Sequence, residues 1–228
     1  MQIVFAIGVI VFGYVLGSIP FGLLIVKIRT GRDIRDVESG RTGGTNAMRA
    51  AGFWAGVFTA IMDVLKGAVA VWVAQAIIPE NHLVHVLAAI GAIIGHNYSI
   101  FLPERDDNGK FVRLRGGAGG APTVGGAMGL WAPSVFIIFT LGVLTFFTIG
   151  IASIVTMSIA LFALIVFSVR AYLGLAPWED VFYGVVALVL LVWALRPNIQ
   201  KLVAGNERVI KYSLYGKIKE RREQTQTK

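Results

Sequence analysis

The sequence contains no cysteine and only three histidines among its 228 residues. Disulfide bonds and cysteine-ligated metal sites are therefore excluded, and the histidines lack the spacing that indicates a metal site. Charged residues are also scarce, at 15%, whereas 56% of the residues are hydrophobic and the mean hydropathy is +0.72. A soluble domain of this length rarely carries so much apolar sequence. We therefore predict an all-α polytopic membrane protein.

The net charge is +8, and the basic residues follow a pattern along the chain. All of them except Lys66 and Arg170 fall into three clusters, at residues 27–49, 105–115 and 196–228. Short loops rich in lysine and arginine stay on the cytoplasmic side of a membrane. The charge thus indicates membrane topology, and no nucleic-acid partner is needed to explain it.

Apolar runs predict about seven transmembrane helices, with the N-terminus outside and the C-terminus in the cytoplasm. Runs that approach the roughly 20 residues of a bilayer-crossing helix lie at 3–26, 52–78, 83–102 and 181–195. Residues 121–169 must hold an odd number of crossings, because the basic clusters before and after share the cytoplasmic side. We expect three, with breaks at Pro133 and near Gly150. This predicts one membrane domain over residues 1–210 and a basic cytoplasmic tail over residues 211–228.

A glycine-rich, basic segment lies between the first two apolar runs. It reads Ser39-Gly40-Arg41-Thr42-Gly43-Gly44-Thr45-Asn46-Ala47-Met48-Arg49, and we call residues 39–45 the first glycine loop. Glycines let successive N–H groups converge on an anion, and the helix predicted after Asn46 adds a favourable N-terminus. Arginine side chains suit phosphate oxygens. The segment is either a phosphate-binding loop or a flexible basic loop at the membrane surface.

A second glycine-rich segment follows Arg113 and Arg115 and precedes an apolar run. It reads Gly116-Gly117-Ala118-Gly119-Gly120, and we call it the second glycine loop. Glycine clusters in membrane proteins also serve close helix packing. Two such segments on one predicted face, each flanked by arginine, favour anion binding over packing. They indicate a reaction that involves two phosphorylated groups.

Polar residues inside and after the apolar runs form a third group of candidates. Asp63 and Lys66 share one helix face and can pair, either as a structural anchor or as part of a site. We predict that His96 forms a hydrogen bond rather than binding a metal. Asn198 and Glu207 follow the last run, at the predicted membrane surface, where they can close a site.

Several of these segments resemble, in order, the motifs of the PlsY family of membrane-integral bacterial acyl-phosphate:glycerol-3-phosphate acyltransferases. The first glycine loop and the residues after it are similar to the family motif GSGNxGATNxxR. The other similar segments are Gly17-Ser18-Ile19-Pro20-Phe21-Gly22, Asp63-x-x-Lys66-Gly67, Gly95-His96-x-x-Ser99-x-Phe101-Leu102, the second glycine loop, and Asn198-Ile199 with Gly205-x-Glu207. Together they extend over residues 17–207.

The resemblance implies transfer of a fatty acyl group from acyl phosphate to glycerol 3-phosphate, which forms lysophosphatidic acid in phospholipid biosynthesis. It implies seven spans in a bacterial cytoplasmic membrane, no metal, no cofactor, and the two substrates and membrane lipid as partners. Catalytic roles are implied for Ser39, Asn46 and Asn198. The residues implied in binding substrate or its phosphate are Gly40, Arg41, Gly43, Thr45, Arg49, Lys66, His96, Ser99, Arg115, Gly116, Gly117, Gly119 and Glu207.

The chain departs from the family motifs at four positions. Arg41 stands where the family has asparagine, and Ala118 stands where its GGKG motif has lysine. Ala194 and Leu195 replace the arginine and histidine of its RHxxN motif. Because one loop gains a cation and the other loses one, we hypothesise that Arg41 supplies the missing charge. Residues 103–115 also form a longer loop than the family usually has.

Two alternatives to the acyltransferase remain at the level of sequence. One is a transporter or flippase of a phosphorylated lipid or anion, and the other is a catalytically inactive paralogue. Transporters often carry internal repeats with broken helices near the bilayer midplane. This sequence has no visible repeat, and its polar residues gather on the predicted cytoplasmic face, which favours chemistry at the interface.

Overall fold

The computed structural model describes residues 1–211 and 213–226. In these residues the chain forms eleven α-helices, a short 3₁₀ turn at Ile34–Asp36 and one β-hairpin. The helices are α1 Gln2–Ser18, α2 Phe21–Thr30, α3 Gly44–Ala51, α4 Phe53–Ile77, α5 His82–Asn97, α6 Gly120–Leu130, α7 Ser134–Ile149, α8 Ala152–Tyr172, α9 Glu179–Ala194, α10 Arg196–Val203 and α11 Leu214–Gln226. The hairpin strands are β1 Pro103–Arg105 and β2 Phe111–Leu114.

Helix breaks lie where proline and glycine indicated them. Pro20 separates α1 from α2, since it cannot donate the hydrogen bond that would continue the helix. Pro133 lies in the break between α6 and α7, and Gly150, with a φ of 69°, ends α7. Residues 121–169 therefore divide into three helices at the two predicted breaks, and whether each helix crosses the membrane stays a prediction.

Three helical segments of the described chain are long and apolar enough to cross a membrane. They are Gln2–Thr30, Phe53–Ile77 and Ala152–Tyr172. A fourth arises if α9 and α10, which meet at a bend of 64°, count as one span. Helices α5 and α7 are apolar but shorter. The predicted tail over residues 211–228 is largely helix α11, although residues 212, 227 and 228 lie outside the described residues.

The prediction was wrong about residues 98–115. Helix α5 ends at Asn97, before the predicted boundary at residue 102, and the polar loop contains an antiparallel hairpin. The physical reason is in the turn, where the Asp106 side chain accepts hydrogen bonds from the N–H groups of Asn108 and Lys110. An Asp-Asp-Asn-Gly sequence favours such a turn, and that signal was not used.

Small residues fill the interior of the helical bundle, and large apolar side chains cover its outside. At Gly125 of α6 a Cβ atom would lie 1.9 Å from the carbonyl oxygen of Val64, so α4 and α6 pack at backbone contact. Tyr183 is fully buried and donates a hydrogen bond to the Thr123 carbonyl oxygen at 2.7 Å. Phe139, by contrast, is 63% exposed. Such a distribution is typical of helices packed within lipid.

The connecting segments gather at two ends of the bundle. At the far end, His82 lies 2.7 Å from Asp180, and the guanidinium of Arg170 stacks on the Trp131 ring at 3.7 Å. The opposite end, which we call the polar end, carries both glycine loops, the hairpin, and the α9–α10 junction. This arrangement brings most of the predicted site residues to one end of the molecule.

Close packing of α1 on α5 generates the first prediction. At Gly17 a Cβ would lie 2.2 Å from the Ala92 carbonyl oxygen, whereas no atom of the described residues would lie within 4 Å of a Cβ at Gly8 of the same helix. Gly17→Ala should therefore lower the free energy of unfolding by about 1–3 kcal/mol, measured by titration with denaturing detergent in mixed micelles. Gly8→Ala should be neutral or stabilising by up to ~1 kcal/mol, because alanine favours helix. Equal effects of the two changes would contradict this packing.

Candidate active site

The two glycine loops lie side by side at the polar end. The N–H group of Thr42 in the first loop donates to the carbonyl oxygen of Gly116 in the second, at 3.3 Å. Gly40 has a φ of 65°, and a Cβ there would lie 2.3 Å from an arginine nitrogen, Nη2 of Arg115. The backbone conformation favours glycine at this position, and a Cβ would also lie 2.9 Å from the Arg35 carbonyl oxygen, whereas the Arg115 side chain could move aside.

Asn46 organises the first glycine loop from within. Its buried Nδ2 donates to the carbonyl oxygens of Ile34, Val37 and Arg41 at 2.8–3.2 Å. These three bonds fold the chain between α2 and α3 around one amide group. Asn46 Nδ2 therefore orders the loop, while the catalytic role implied for Asn46 stays a prediction.

The first glycine loop presents free N–H donors, and Arg49 lies one helical turn after Thr45 in α3. The N–H groups of Gly43, Gly44 and Thr45, at the start of α3, donate to no acceptor in the described part of the chain. Ser39 and Thr45 are exposed. The half-buried side chain of Arg49 forms no hydrogen bond or ion pair with any residue that the structure describes. Free N–H groups at a helix N-terminus attract anions, so this arrangement suits a phosphate.

The second glycine loop has a similar set of donors. Gly119, in the left-handed conformation with a φ of 87°, precedes α6. Among the described residues, the N–H groups of 118–121 have no acceptor. The loop is fixed to the C-terminal end of α5, because the Gly117 N–H donates to the His96 carbonyl oxygen at 2.8 Å. A second anion site next to the first is therefore available.

Arg41 connects the two loops with the end of α9. Its Nη1 donates to the Gly117 carbonyl oxygen at 3.1 Å, and its Nη2 donates to the Ala194 carbonyl oxygen at 2.7 Å and to Asn198 Oδ1 at 3.2 Å. Burial lowers the pKa of Arg41, but an arginine stays protonated in proteins. Its positive charge therefore lies between both loops, while three of its five N–H groups serve protein oxygens.

Asn198 continues this network toward Glu207. While its Oδ1 accepts from Arg41, its Nδ2 donates to Glu207 Oε1 at 3.0 Å. Both polar atoms of the Asn198 amide thus have protein partners. A half-buried cation, an amide and a carboxylate form one hydrogen-bonded chain that fixes the α9–α10 junction against the loops.

Arg115 is the second cation shared between the loops. Its Nη2 lies 3.4 Å from the Gly40 carbonyl oxygen, and its Nη1 lies 3.6 Å from Glu104 in the hairpin. A hydrogen bond from Arg113 holds the pKa of Glu104 below its usual value. Glu104 is therefore ionised at neutral pH and orients Arg115. The sequence analysis missed Glu104 because it did not predict the hairpin that pairs these residues.

Lys66, His96 and Ser99 lie beneath the loops and are buried. Lys66 Nζ lies 2.8 Å from Asp63 and donates to the Ile19 carbonyl oxygen at 3.0 Å. His96 Nδ1 lies 3.5 Å from the same carboxylate, and Ser99 donates to the Ser18 carbonyl oxygen. Asp63 and Lys66 thus pair as the sequence analysis expected, in a position that suits a structural anchor. These side chains hold α1, α4 and α5 together under the second glycine loop.

The chain matches the family model for glycerol-3-phosphate acyltransferase over residues 7–205. This chain belongs to the glycerol-3-phosphate acyltransferase family. A relative from Maridesulfovibrio salexigens is 37% identical over 202 residues, which are 87% of this chain and 93% of that protein. One from Nitratidesulfovibrio vulgaris is 35% identical over 195 residues, 86% of this chain but 55% of that protein.

Solved structures give the same assignment. The chain is similar to PlsY (YgiH), an integral membrane glycerol 3-phosphate acyltransferase, in its glycerol 3-phosphate form. The TM-score is 0.78 with 27% identity, covering 90% of this chain and 95% of that one. The lysphosphatidic acid form of PlsY (YgiH) has a TM-score of 0.76 with 25% identity, covering 91% and 96% of the two chains. The chain is therefore mainly helical and integral to a membrane, like its relatives.

The Arg41 network generates the second prediction. Arg41→Gln and Asn198→Ala should each lower the free energy of unfolding, and the double variant should lose less than the sum. We expect a coupling of about 0.5–3 kcal/mol, because the two residues share a partly buried hydrogen bond. Arg208→Gln, which removes an exposed pair with Glu38, serves as the control partner for Arg41→Gln. Additive losses in both double variants would show that Arg41 and Asn198 act independently.

Proposed function

We propose that this chain transfers a fatty acyl group from acyl phosphate to glycerol 3-phosphate and forms lysophosphatidic acid for phospholipid synthesis. The observation that carries the proposal is the meeting of two glycine loops, each with free N–H groups and a cation, at one end of an apolar bundle. Both substrates carry a phosphoryl group, so each loop has one to bind. The family names of the relatives support the same acceptor.

The first glycine loop is suited to glycerol 3-phosphate. The N–H groups of residues 43–45 and the unpaired guanidinium of Arg49 provide a neutral and a charged set of donors. Arginine binds phosphate with two parallel N–H bonds, which fixes the orientation of the acceptor as well as its affinity. Ser39 and Thr45 are exposed beside these groups and can add hydroxyl contacts.

The second glycine loop is suited to the phosphate of the acyl donor. It has free N–H groups, but Ala118 stands where the family motif has a lysine. The Arg41 guanidinium lies close by, with its Nη1 at 3.1 Å from the Gly117 carbonyl oxygen. Two N–H groups of Arg41 remain for a phosphate oxygen. This proximity supports the hypothesis that Arg41 replaces the missing lysine. Arg115, which contacts the Gly40 carbonyl oxygen of the first loop, adds a second positive charge.

The proposed chemistry depends on positioning rather than on a nucleophilic side chain. The glycerol 3-phosphate hydroxyl oxygen attacks the acyl carbonyl carbon, the bond from that carbon to the phosphate oxygen breaks, and the hydroxyl proton leaves with inorganic phosphate. Because acyl phosphate is already activated, the reaction needs no cofactor. Adjacent phosphate sites hold the reacting groups together, and fixed N–H groups and cations stabilise the developing charge.

A donor assay tests this function. The purified chain is reconstituted in lipid and supplied with labelled glycerol 3-phosphate and acyl phosphate, acyl coenzyme A or acyl carrier protein in turn. We expect lysophosphatidic acid and inorganic phosphate in equal amounts when acyl phosphate is the donor, and no product with the other two donors. No product with any donor would favour an inactive paralogue. Passage of unmodified glycerol 3-phosphate across the vesicle membrane would favour the transporter.

Arg49 carries the third prediction. Arg49→Ala should raise the KM for glycerol 3-phosphate by about 10- to 150-fold, because a charge-assisted contact contributes ~1.5–3 kcal/mol. Arg49→Lys should recover only part of this loss, since a point charge does not reproduce the planar fork. Arg32→Ala, in the same basic cluster, is the matched control and should leave KM unchanged. Unchanged kinetics in both Arg49 variants would remove Arg49 from the phosphate site.

We propose seven membrane crossings, by α1, α4, α5, α6, α7, α8 and α9, with the polar end in the bacterial cytoplasm. Exposed tryptophans support this placement. Trp54 and Trp72 lie on the outside of α4, 60% and 44% exposed, and their separation in sequence corresponds to about 27 Å along a helix. That distance is close to the ~30 Å of a hydrocarbon core, and tryptophan favours its two boundaries. Helix α6 crosses inside the protein, surrounded by other helices.

Single-cysteine labelling tests this topology as the fourth prediction, because the chain has no native cysteine. Cysteines at Asp107 and Gln224, near the polar end, should react with a membrane-impermeant maleimide only after the cells are permeabilised. A cysteine at Glu80, in the far-end turn, should react in intact cells. Rapid labelling of the cysteine at Asp107 or Gln224 in intact cells would overturn the seven-span topology.

A further inference from the structure

The hairpin between α5 and the second glycine loop projects as a separate arm. Its two strands pair with each other, and in the described chain they join no other strand. Its apolar side chains are exposed, with Phe111 at 54% and Val112 at 55%, as is Phe101 just before it at 53%. A lone two-stranded hairpin is marginally stable in water, and its exposed phenylalanine rings make a covering partner favourable.

The register gives the hairpin one apolar face and one charged face. Pro103 lies opposite Leu114 and Arg105 lies opposite Phe111, whereas Glu104 lies opposite Arg113 between them. Because opposite residues share a face and successive residues alternate, Pro103, Phe111 and Leu114 fall on one face. An irregularity in the pairing next to Arg105 keeps Phe111 on that face. The Glu104–Arg113 pair occupies the other face.

The size and charge of this apolar face favour a lipid surface as its partner. A stable protein interface buries about 800 Å² on each side, far more than three or four side chains provide. A bilayer surface sets no such minimum. Arg105 lies on the apolar face, and Lys110 is exposed in the adjoining turn. Phenylalanine flanked by cations is typical of segments that lie on anionic membranes.

We propose that the hairpin docks on the cytoplasmic membrane surface, with Phe101, Phe111 and Leu114 among the lipid headgroups and with Arg105 and Lys110 on anionic lipid. The charged face then points to the cytoplasm. This inference rests on the membrane placement proposed above, in which the C-terminal end of α5 reaches the cytoplasmic interface. Helix α9 ends at the same level with an exposed Trp193.

Docking of the hairpin bears on the candidate active site through one ionic contact. Glu104 in β1 lies 3.6 Å from Arg115, whose guanidinium lies 3.4 Å from the Gly40 carbonyl oxygen of the first loop. The Arg115 N–H also donates to the Leu102 carbonyl oxygen at the hairpin base. A hairpin fixed on lipid therefore fixes Arg115 between the two glycine loops. The surface that supplies lipid substrate would thus also order the site.

Site-directed fluorescence tests the docking without any activity measurement. An environment-sensitive label is attached at Phe111→Cys, on the apolar face, or at Asn108→Cys, in the turn, in the full-length protein in vesicles. A third label at Phe139→Cys, exposed in the middle of α7, reports on membrane placement. Quenching by lipids that carry a shallow nitroxide measures contact with the headgroup region.

We expect the label at Phe111→Cys to be blue-shifted and quenched several-fold more strongly than the label at Asn108→Cys. The difference should increase when anionic lipid replaces zwitterionic lipid. The label at Phe139→Cys should lie in lipid if the membrane placement is correct. If it does, but the label at Phe111→Cys is as accessible to water as the label at Asn108→Cys, the docking proposal is overturned and the membrane placement stands. Shielding at Phe111→Cys that appears only when a soluble protein is added would also overturn it.

Discussion

The hydrogen-bonded network of the half-buried Arg41 guanidinium is the interaction on which the polar end depends. It joins the first glycine loop to the Gly117 carbonyl oxygen of the second and to the Ala194 carbonyl oxygen at the end of α9. Removing a buried partner from such a network leaves uncompensated polar groups, which is strongly destabilising. Asn198 and Glu207 complete the network. That Arg41 also supplies the charge of the lysine missing at Ala118 stays a hypothesis, which its hydrogen bond to the adjacent Gly117 supports.

Much of the fold was predictable because apolar runs and helix breakers act locally. Pro20, Pro133 and Gly150 mark helix ends for reasons of backbone geometry alone, and the structure has breaks there. The hairpin was missed because its turn depends on side-chain bonds of Asp106 to the backbone, which hydropathy does not register.

The candidate site was predictable in its parts but not in its connections. The sequence indicates both glycine loops, and the structure brings them together. It does not indicate that Asn46 donates to three loop carbonyl oxygens, or that His96 joins the predicted Asp63–Lys66 pair below the loops. Such contacts depend on how helices distant in sequence pack. A motif records which residue types are present, whereas the partner of each side chain is set by the tertiary structure.

The central claim is that the two glycine loops form one site for two phosphoryl groups. Hydrogen exchange of the chain in lipid nanodiscs tests it most directly, because the free N–H groups of residues 43–45 and 118–121 are the proposed ligands. Glycerol 3-phosphate together with an unreactive phosphonate analogue of acyl phosphate should slow exchange in both segments, and glycerol 3-phosphate alone should slow residues 43–45 first. Unchanged exchange in both segments under saturating ligand would contradict the account.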